Sequence, residues 1–318
     1  MTSPYRIAHF TDPHLPLLAE ETRVFATGLN KRLSGMLSWR HNRRHIHLPE
    51  ILARLVGDIH MHHPQHIALT GDLVNISLPQ EFSRAAAWLR QLGAPGNVSL
   101  VPGNHDAYAA DPAQPGLDLW ADYMRGDDQT GGANFPYCRV RDGIALIGVT
   151  TAVPTRIFSA TGAVGSVQLA RLGEMLAQRG KQGLMRIVMI HHPPGAAGAS
   201  KRKGLIDRAA LLKVFARHGA ELILHGHTHR GVFDHVPGPN GPIPVLAPAS
   251  ASARDPYGEH ARWHMLEISS TSSGQWRILV TVRGYEPASK QFRTDGQFSL
   301  SVQPVNADRP GGARIDQP

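Results

Sequence analysis

Short apolar runs of strand length alternate along this chain with stretches of helical periodicity, and that alternation limits the fold more than any other feature. Runs at Tyr5 to Phe10, His66 to Leu69, Val98 to Val101, Ile144 to Thr150, Arg186 to Ile190 and Glu221 to Leu224 are β-branched or alternating in character. Between them, Leu48 to His62 sets Ile51, Leu52, Leu55, Val56 and Ile59 on one helical stripe. Pro79 to Leu92, Ser166 to Gln178 and Asp207 to Arg217 read the same way. Strands alternating with helices imply βαβ units and a layered α/β fold. After Gly231 the character turns to strand, with runs at Ile243 to Ala247, Trp263 to Ile268 and Trp276 to Val282. A sheet with its helices followed by more strands predicts a two-sheet core.

No internal repeat and no long linker divides the chain, so residues 1–304 are expected to form one domain. A basic insertion at about 22–47 interrupts the first βα connection. Tyr108 to Asn134 reads as a loop with one short helix near Leu117 to Met124, and 305–318 as a flexible tail poor in apolar residues.

Of the 318 residues 42% are hydrophobic and 18% charged, which excludes disorder throughout. No stretch approaches the ~18 apolar residues of a membrane span, and the N-terminus lacks the layout of a secretory signal, so a cytoplasmic location is expected. Cys138 is the single cysteine, so an internal disulfide and a cysteine-based metal cluster are both excluded. A metal site must draw on His, Asp, Glu or Asn, and the chain has 19 histidines. The net charge of +8 is unevenly placed: Arg23, Lys31, Arg32, Arg40, Arg43 and Arg44 fall between Thr22 and Pro49 with no acid among them. An anionic partner follows from that excess.

Five polar clusters follow strand runs: Asp12-Pro13-His14, Gly71-Asp72, Gly103-Asn104-His105-Asp106, His191-His192-Pro193 and Gly226-His227-Thr228-His229. In a sheet of parallel strands the carboxyl ends share one edge, so these loops should converge on one crevice. Asp12 with His14, and His227 with His229, are spaced i, i+2. On extended backbone that spacing turns both side chains to one side. Each cluster alone has a bland reading as a turn, a helix cap or a surface histidine. Five in this order, each at a strand end, do not arise readily by chance.

In that order the residues resemble the calcineurin-like metallophosphoesterase superfamily, whose pattern runs D-x-H, G-D, G-N-H-[DE], H and G-H-x-H. The resemblance spans about residues 5–235. It implies a four-layer α-β-β-α sandwich of two mixed β-sheets flanked by helices, and hydrolysis of phosphoesters with two divalent metal ions. Carried over, it puts Asp12, His14 and His229 on one ion and Asn104, His191 and His227 on the other, with Asp72 bridging. His191 is preferred to His192, which would then stand behind the ligands. Gly-Asn-His-Asp and Gly-His-Thr-His are similar to the branch of cyclic-nucleotide and glycerophosphodiester phosphodiesterases. Members of the diacylglucosamine pyrophosphohydrolase branch usually have arginine where this chain has His105.

The chemistry agrees with the resemblance. A phosphodiester is anionic and repels hydroxide, whereas two ions ~3.5–4 Å apart acidify a bridging water and clamp the phosphoryl oxygens. A metal-bridging hydroxide is the expected nucleophile. Asp72 can offer one oxygen to each ion. The leaving alkoxide needs a proton, for which His105, titrating near neutrality, is the candidate, with Asp106 orienting its loop. Nitrogen and oxygen donors suit Mn, Fe or Zn better than Ca.

In the insertion, Leu29, Leu33, Met36 and Leu37 recur at helical spacing beside Trp39 and the cations. It reads either as a helix packed on the body with a solvated cationic face, or as a lid or anchor that gathers an anionic substrate. Peripheral contact with the inner face of an anionic membrane, and hydrolysis there of a lipid-linked phosphoester or pyrophosphate, is the alternative function. Nucleic acid is a less favoured partner, and a non-catalytic binding module is the competing class.

Overall fold

The computed structural model describes residues 3–18, 31–108, 116–156, 159–254, 259–271 and 274–303. The start of the basic insertion, including Arg23 and Leu29, part of the 108–134 loop and the tail from 305 lie outside the described residues. Two six-stranded sheets form the body. The first contains β1 (Tyr5–Phe10), β2 (His66–Leu69), β3 (Val98–Leu100), β10 (Arg262–Ser270), β11 (Trp276–Glu286) and β12 (Gln291–Val302), in the order β12-β11-β10-β1-β2-β3. The second contains β4 (Tyr137–Arg141), β5 (Ile144–Val149), β6 (Met185–Ile190), β7 (Leu222–Leu224), β8 (Val232–Val236) and β9 (Ile243–Ala247), in the order β4-β5-β6-β7-β9-β8. Strands β1, β2 and β3 run parallel, as do β5, β6, β7 and β9.

The second sheet divides its side chains by strand periodicity. Ile144, Leu146, Met185, Ile187, Met189, Leu222 and Leu224 join the core shared with the first sheet. Their neighbours Ala145, Ile147, Val149, Val188, Ile190 and Ile223 pack under helices α5 (Ser166–Lys181) and α6 (Arg208–His218). Helices α3 (Pro49–Met61) and α4 (Pro79–Leu92) cover the first sheet, with Trp88 of α4 edge-on to Phe10. The expected α-β-β-α sandwich is thus observed. The late strands do not make a sheet of their own: β8 and β9 extend the second sheet, while β10 pairs antiparallel with β1 at the centre of the first.

Helix α4 begins where the sequence indicates. Pro79 lacks the N–H that a first turn leaves unpaired, and the Glu81 carboxylate accepts the N–H groups of Asn75, Ile76 and Leu78. The described end of the insertion is helical, as α1 (Lys31–Ser38), a π-helical turn Trp39–Arg43 and the short α2 (Arg44–Ile46). Met36 packs with Leu17, Ile76 and Leu78, so this helix rests on the body and exposes Leu37, Arg40 and Arg44. Among the described residues no helix is long and apolar enough to cross a membrane.

Buried histidines sit within the sandwich away from the clustered loops. His66 donates to or accepts from the Ser99 hydroxyl at 2.8 Å, and His264 is the cross-strand partner of His9. Burial pushes His66 down to about 3 and His264 down to about 4. A histidine depressed in the folded state takes up protons first in the unfolded chain, so stability should be full above about pH 6.5 and fall as pH drops toward 4. Urea unfolding at pH 7.5 and pH 5 measures this. His264→Asn should flatten the slope, and an unchanged slope would show that the ring does not titrate between the two states.

Candidate metal centre

Each predicted cluster lies in a loop that leaves the carboxyl end of a parallel strand. Asp12 and His14 follow β1, Asp72 follows β2, Asn104 follows β3, His191 follows β6, and His227 and His229 follow β7. The two sheets present these ends together, and the structure brings all seven side chains into one cluster. Donor atoms of Asp12, His14, Asp72 and His229 lie within 4.8 Å of one another, as do those of Asp72, His191 and His227. Asn104 Oδ1 stands 3.2 Å from His191 Nε2.

The loops reach this arrangement through left-handed backbone, not the extended geometry expected from the i, i+2 spacing. Asp12, His14, Asp72, His227 and His229 have φ of 51°, 42°, 56°, 70° and 55°. Non-glycine residues in this region carry strain that surrounding contacts must hold. Those contacts are visible. Asp12 Oδ2 accepts the Thr11 hydroxyl at 2.7 Å and the His227 N–H at 2.9 Å, which ties the first loop to the last. The Asp12 carbonyl accepts the Ser250 hydroxyl at 2.7 Å. The glycines of the motifs are explained by close approach: a Cβ on Gly103 would overlap Asp72 Oδ1, and one on Gly226 would overlap the Thr11 hydroxyl.

Asp106 does not touch the His105 ring. Its carboxylate accepts four backbone N–H groups, from Gly103, Asp72, Leu73 and Val74, at 2.8–3.0 Å. It ties the β2 and β3 loops together, which is the loop-orienting part expected of it. Asp72 stands in both donor groups, and its two oxygens are placed differently. Oδ1 accepts the His105 N–H at 2.8 Å, whereas Oδ2 alone faces both histidine groups, 3.4 Å from His191 Nε2 and 3.9 Å from His14 Nε2. His191 and His192 differ in what their ring nitrogens meet. His191 Nδ1 donates to the Thr70 carbonyl at 2.7 Å and turns Nε2 into the cluster. His192 has both nitrogens engaged, by the Thr151 hydroxyl and the Ala160 carbonyl, and packs its ring 4.3 Å from that of His227.

The charge balance bears on what the cluster can hold. Burial would raise Asp12, yet His229 and His191 hold its carboxyl below the usual range; His191 and His105 do the same for Asp72. Burial would lower His191, but Asp72 and Asp12 raise it to about 9. His14 and His227 are pushed down, first by burial and then by neighbouring histidines, His227 to about 3. Two buried carboxylates thus draw positive charge into a pocket where imidazoles resist it. His14 Nε2 and His229 Nε2 face each other at 3.2 Å, and Asp12 Oδ1 and His227 Nε2 are buried without a hydrogen-bond partner. Closely facing ring nitrogens and buried donor atoms without hydrogen-bond partners fit divalent cations held by nitrogen and oxygen donors. His14 Nδ1 is meanwhile fixed by the Val74 carbonyl, the outer contact metal-binding imidazoles usually keep.

A cavity of about 480 Å³ opens over the cluster, lined among others by Asp72, Asn104, His105, Tyr108, Lys203 and Arg43. His105 Nδ1 donates to the Asn75 carbonyl at 2.6 Å and its ring stacks on Tyr108. Burial lowers it to about 4 against the pull of Asp72, with Arg43 adding to the depression. The surroundings thus favour the uncharged ring, whereas the sequence led us to expect titration near neutrality. Two residues were missed. His47, at the end of the insertion, lies with His14 and His229 in a third donor group, its Nδ1 2.9 Å from the Ser252 hydroxyl. Arg43 reaches in one turn before it.

The sequence profile described as calcineurin-like phosphoesterase matches residues 5–231. The chain belongs to that family. It is a phosphoric ester hydrolase, and the family depends on metal. A probable cyclic nucleotide phosphodiesterase of Synechococcus sp. is 28% identical over 234 residues, which are 72% of this chain and 80% of the relative. A dimetal phosphatase from Danio rerio superposes with a TM-score of 0.55 at 13% identity, covering 96% of this chain and 100% of the other. A purple acid phosphatase from yellow lupin seeds gives a TM-score of 0.55 at 13% identity over 95% of this chain and 54% of its own. These likenesses show a shared calcineurin-like phosphoesterase fold.

Proposed function

We propose that the protein is a phosphodiesterase working with two divalent ions of the Mn, Fe or Zn type. Asp12, His14 and His229 would hold one, and Asn104, His191 and His227 the other. The observation that carries the reading is Asp72 Oδ2, a single buried oxygen turned toward both histidine groups. When bound, such ions supply an acidified water as nucleophile and neutralise charge on the phosphoryl oxygens. The chain's own residues do the rest. Asp106 keeps the Asp72 loop rigid, so the oxygens do not reorganise as charge develops. His105 faces the cavity with Nε2 free of the Asn75 bond, and a phosphodiester anion beside it raises its affinity for a proton. That proton is placed for the departing alkoxide.

The similarity to a probable cyclic nucleotide phosphodiesterase supports cyclic nucleotides as first substrates, with glycerophosphodiesters next. The filled donor set speaks against a non-catalytic binding module. One apolar cluster running across both sheets supports reading residues 1–304 as one domain. The test is hydrolysis of bis-p-nitrophenyl phosphate with added Mn²⁺, followed by a panel of cyclic nucleotides, glycerophosphodiesters and lipid phosphates. His105→Gln should slow alkyl esters by roughly 10²–10⁴ and p-nitrophenyl esters far less, because p-nitrophenolate leaves without a proton. Equal losses on both esters would remove the acid role.

A second reading keeps one specific support. Leu37, Arg40 and Arg44 are exposed on the helix beside the cavity, the composition of an anionic-membrane contact, which favours a lipid-linked phosphoester at the cytoplasmic face. Co-sedimentation with anionic vesicles distinguishes it: Arg40→Ser with Arg44→Ser must weaken binding, or the helix is only packed on the body.

A further inference from the structure

The insertion carries one side chain whose surroundings do not match its charge. The two most deeply buried arginines show what full engagement looks like. Arg186 forms a two-point ion pair with Glu221, and Arg139 donates to the carbonyls of Pro95, Val98, Asp122 and Arg125. Arg43 has neither arrangement. Its Nη2 donates to the Gly35 carbonyl at 2.9 Å, and its Nη1 lies 3.1 and 3.4 Å from the two nitrogens of His105, one of which already donates to Asn75. Its Nε is buried with no hydrogen-bond partner, and no carboxylate forms an ion pair with it among the described residues. The same guanidinium lines the cavity together with Asp72, Asn104, His105, His227 and His229.

A half-buried cation with a buried, unpartnered N–H and no facing carboxylate is unfavourable, and such groups persist where a ligand completes them. Asp72 and Glu81 are the carboxylates that act on Arg43, but Asp72 Oδ2 is directed at the two histidine groups and Glu81 accepts backbone N–H groups of its own loop. We infer that Arg43 is a substrate-binding residue whose guanidinium holds a nonbridging oxygen of the phosphoryl group in the cavity above Asp72 and His105. The planar fork suits a phosphoryl oxygen pair, which a lysine would meet only as a point charge. The turn that carries Arg43 is π-helical, Trp39–Arg43, a form that recurs at functional sites. The described end of the insertion thereby becomes a wall of the site that faces anionic phosphate, and the ligand class is a phosphoester or free phosphate, whatever its organic group. The choice of ligand rests on the phosphoesterase reading above.

The experiment is calorimetric titration of inorganic phosphate into the full-length protein loaded with Mn²⁺, comparing the parent with Arg43→Gln, Arg43→Lys and the exposed charge control Lys181→Gln. Arg43→Gln should weaken phosphate binding by about tenfold or more, the size of a lost charge-assisted hydrogen bond. Manganese content and far-UV circular dichroism should match the parent. Arg43→Lys should fall between the two, and Lys181→Gln should stay within about twofold, as expected for a distant screened charge. The inference is overturned if folded Arg43→Gln binds phosphate as the parent does, or if the parent binds none. If Arg43→Gln does not fold, Arg43→Lys decides: several-fold weakening supports the contact and parental affinity removes it. Should the parent bind phosphate through Arg43 yet hydrolyse no diester, the proposed activity fails and the anion site stands. Should diesters be hydrolysed while Arg43→Gln keeps full phosphate affinity, this inference fails alone.

Discussion

Asp72→Asn protein should hydrolyse phosphodiesters slower by on the order of 10³, the upper end of what removing one electrostatic group costs. The substitution keeps shape and the Oδ1 acceptor for the His105 N–H, but it removes the charge at the atom that faces both His14 and His191. Bound metal, measured by elemental analysis after desalting, should fall with the rate, because the two donor groups share that atom. Circular dichroism should be unchanged, since Asp106 holds the loop through backbone N–H groups that the substitution does not touch. A folded Asp72→Asn protein with parental metal content and parental rate would refute the shared-ligand assignment.

The largest loss of stability is expected from Glu221→Ala, by about 3–5 kcal/mol. Arg186 and Glu221 are both almost wholly buried at the start of β6 and just before β7. Glu221 accepts Arg186 Nε, Nη2 and backbone N–H at 2.6–2.9 Å, while Nη1 donates to the last turns of α5 and α6 at Leu176 and His218. Removing the acid strands a buried guanidinium. The melting temperature should drop by roughly 10 °C. The double replacement Arg186→Met with Glu221→Leu should recover more than half of that loss, because an apolar pair leaves no stranded charge. A double variant as unstable as the single one would locate the cost in the unmet carbonyls of Leu176 and His218.

How much of this was readable in the sequence depended on which physical signal each residue carries. Strands β1, β2 and β9 and helix α4 matched their predicted bounds because periodicity, bordering polar loops and Pro79 all agree locally. Strands β4, β8 and β12 were not anticipated. Arg139 and Arg141 make β4 look like surface until carbonyls from the other sheet claim Arg139, and β12 is an edge strand whose Asp295-Gly296 imitates a turn. The convergence of the five polar clusters was legible because each follows a strand whose carboxyl end lies on the shared edge. The left-handed loops that aim them were not, since the spacing of Asp12 and His14 fits extended backbone equally well. Arg43 and His47 were hidden for a different reason. Their position over the cluster comes from the docking of the whole insertion, which no local pattern encodes.

The left-handed loops have one more consequence. Because five of the donor-bearing positions demand a backbone that branched side chains avoid, their permitted replacements are narrowed twice, by coordination chemistry and by conformation. Engineers who transplant the seven side chains onto an unrelated α/β scaffold would import the chemistry without the curvature that aims it. The transferable unit is the looped backbone with its Thr11, Asp106 and Ser250 braces, and a redesign that keeps those braces would keep the aim of the side chains while the side chains themselves are varied.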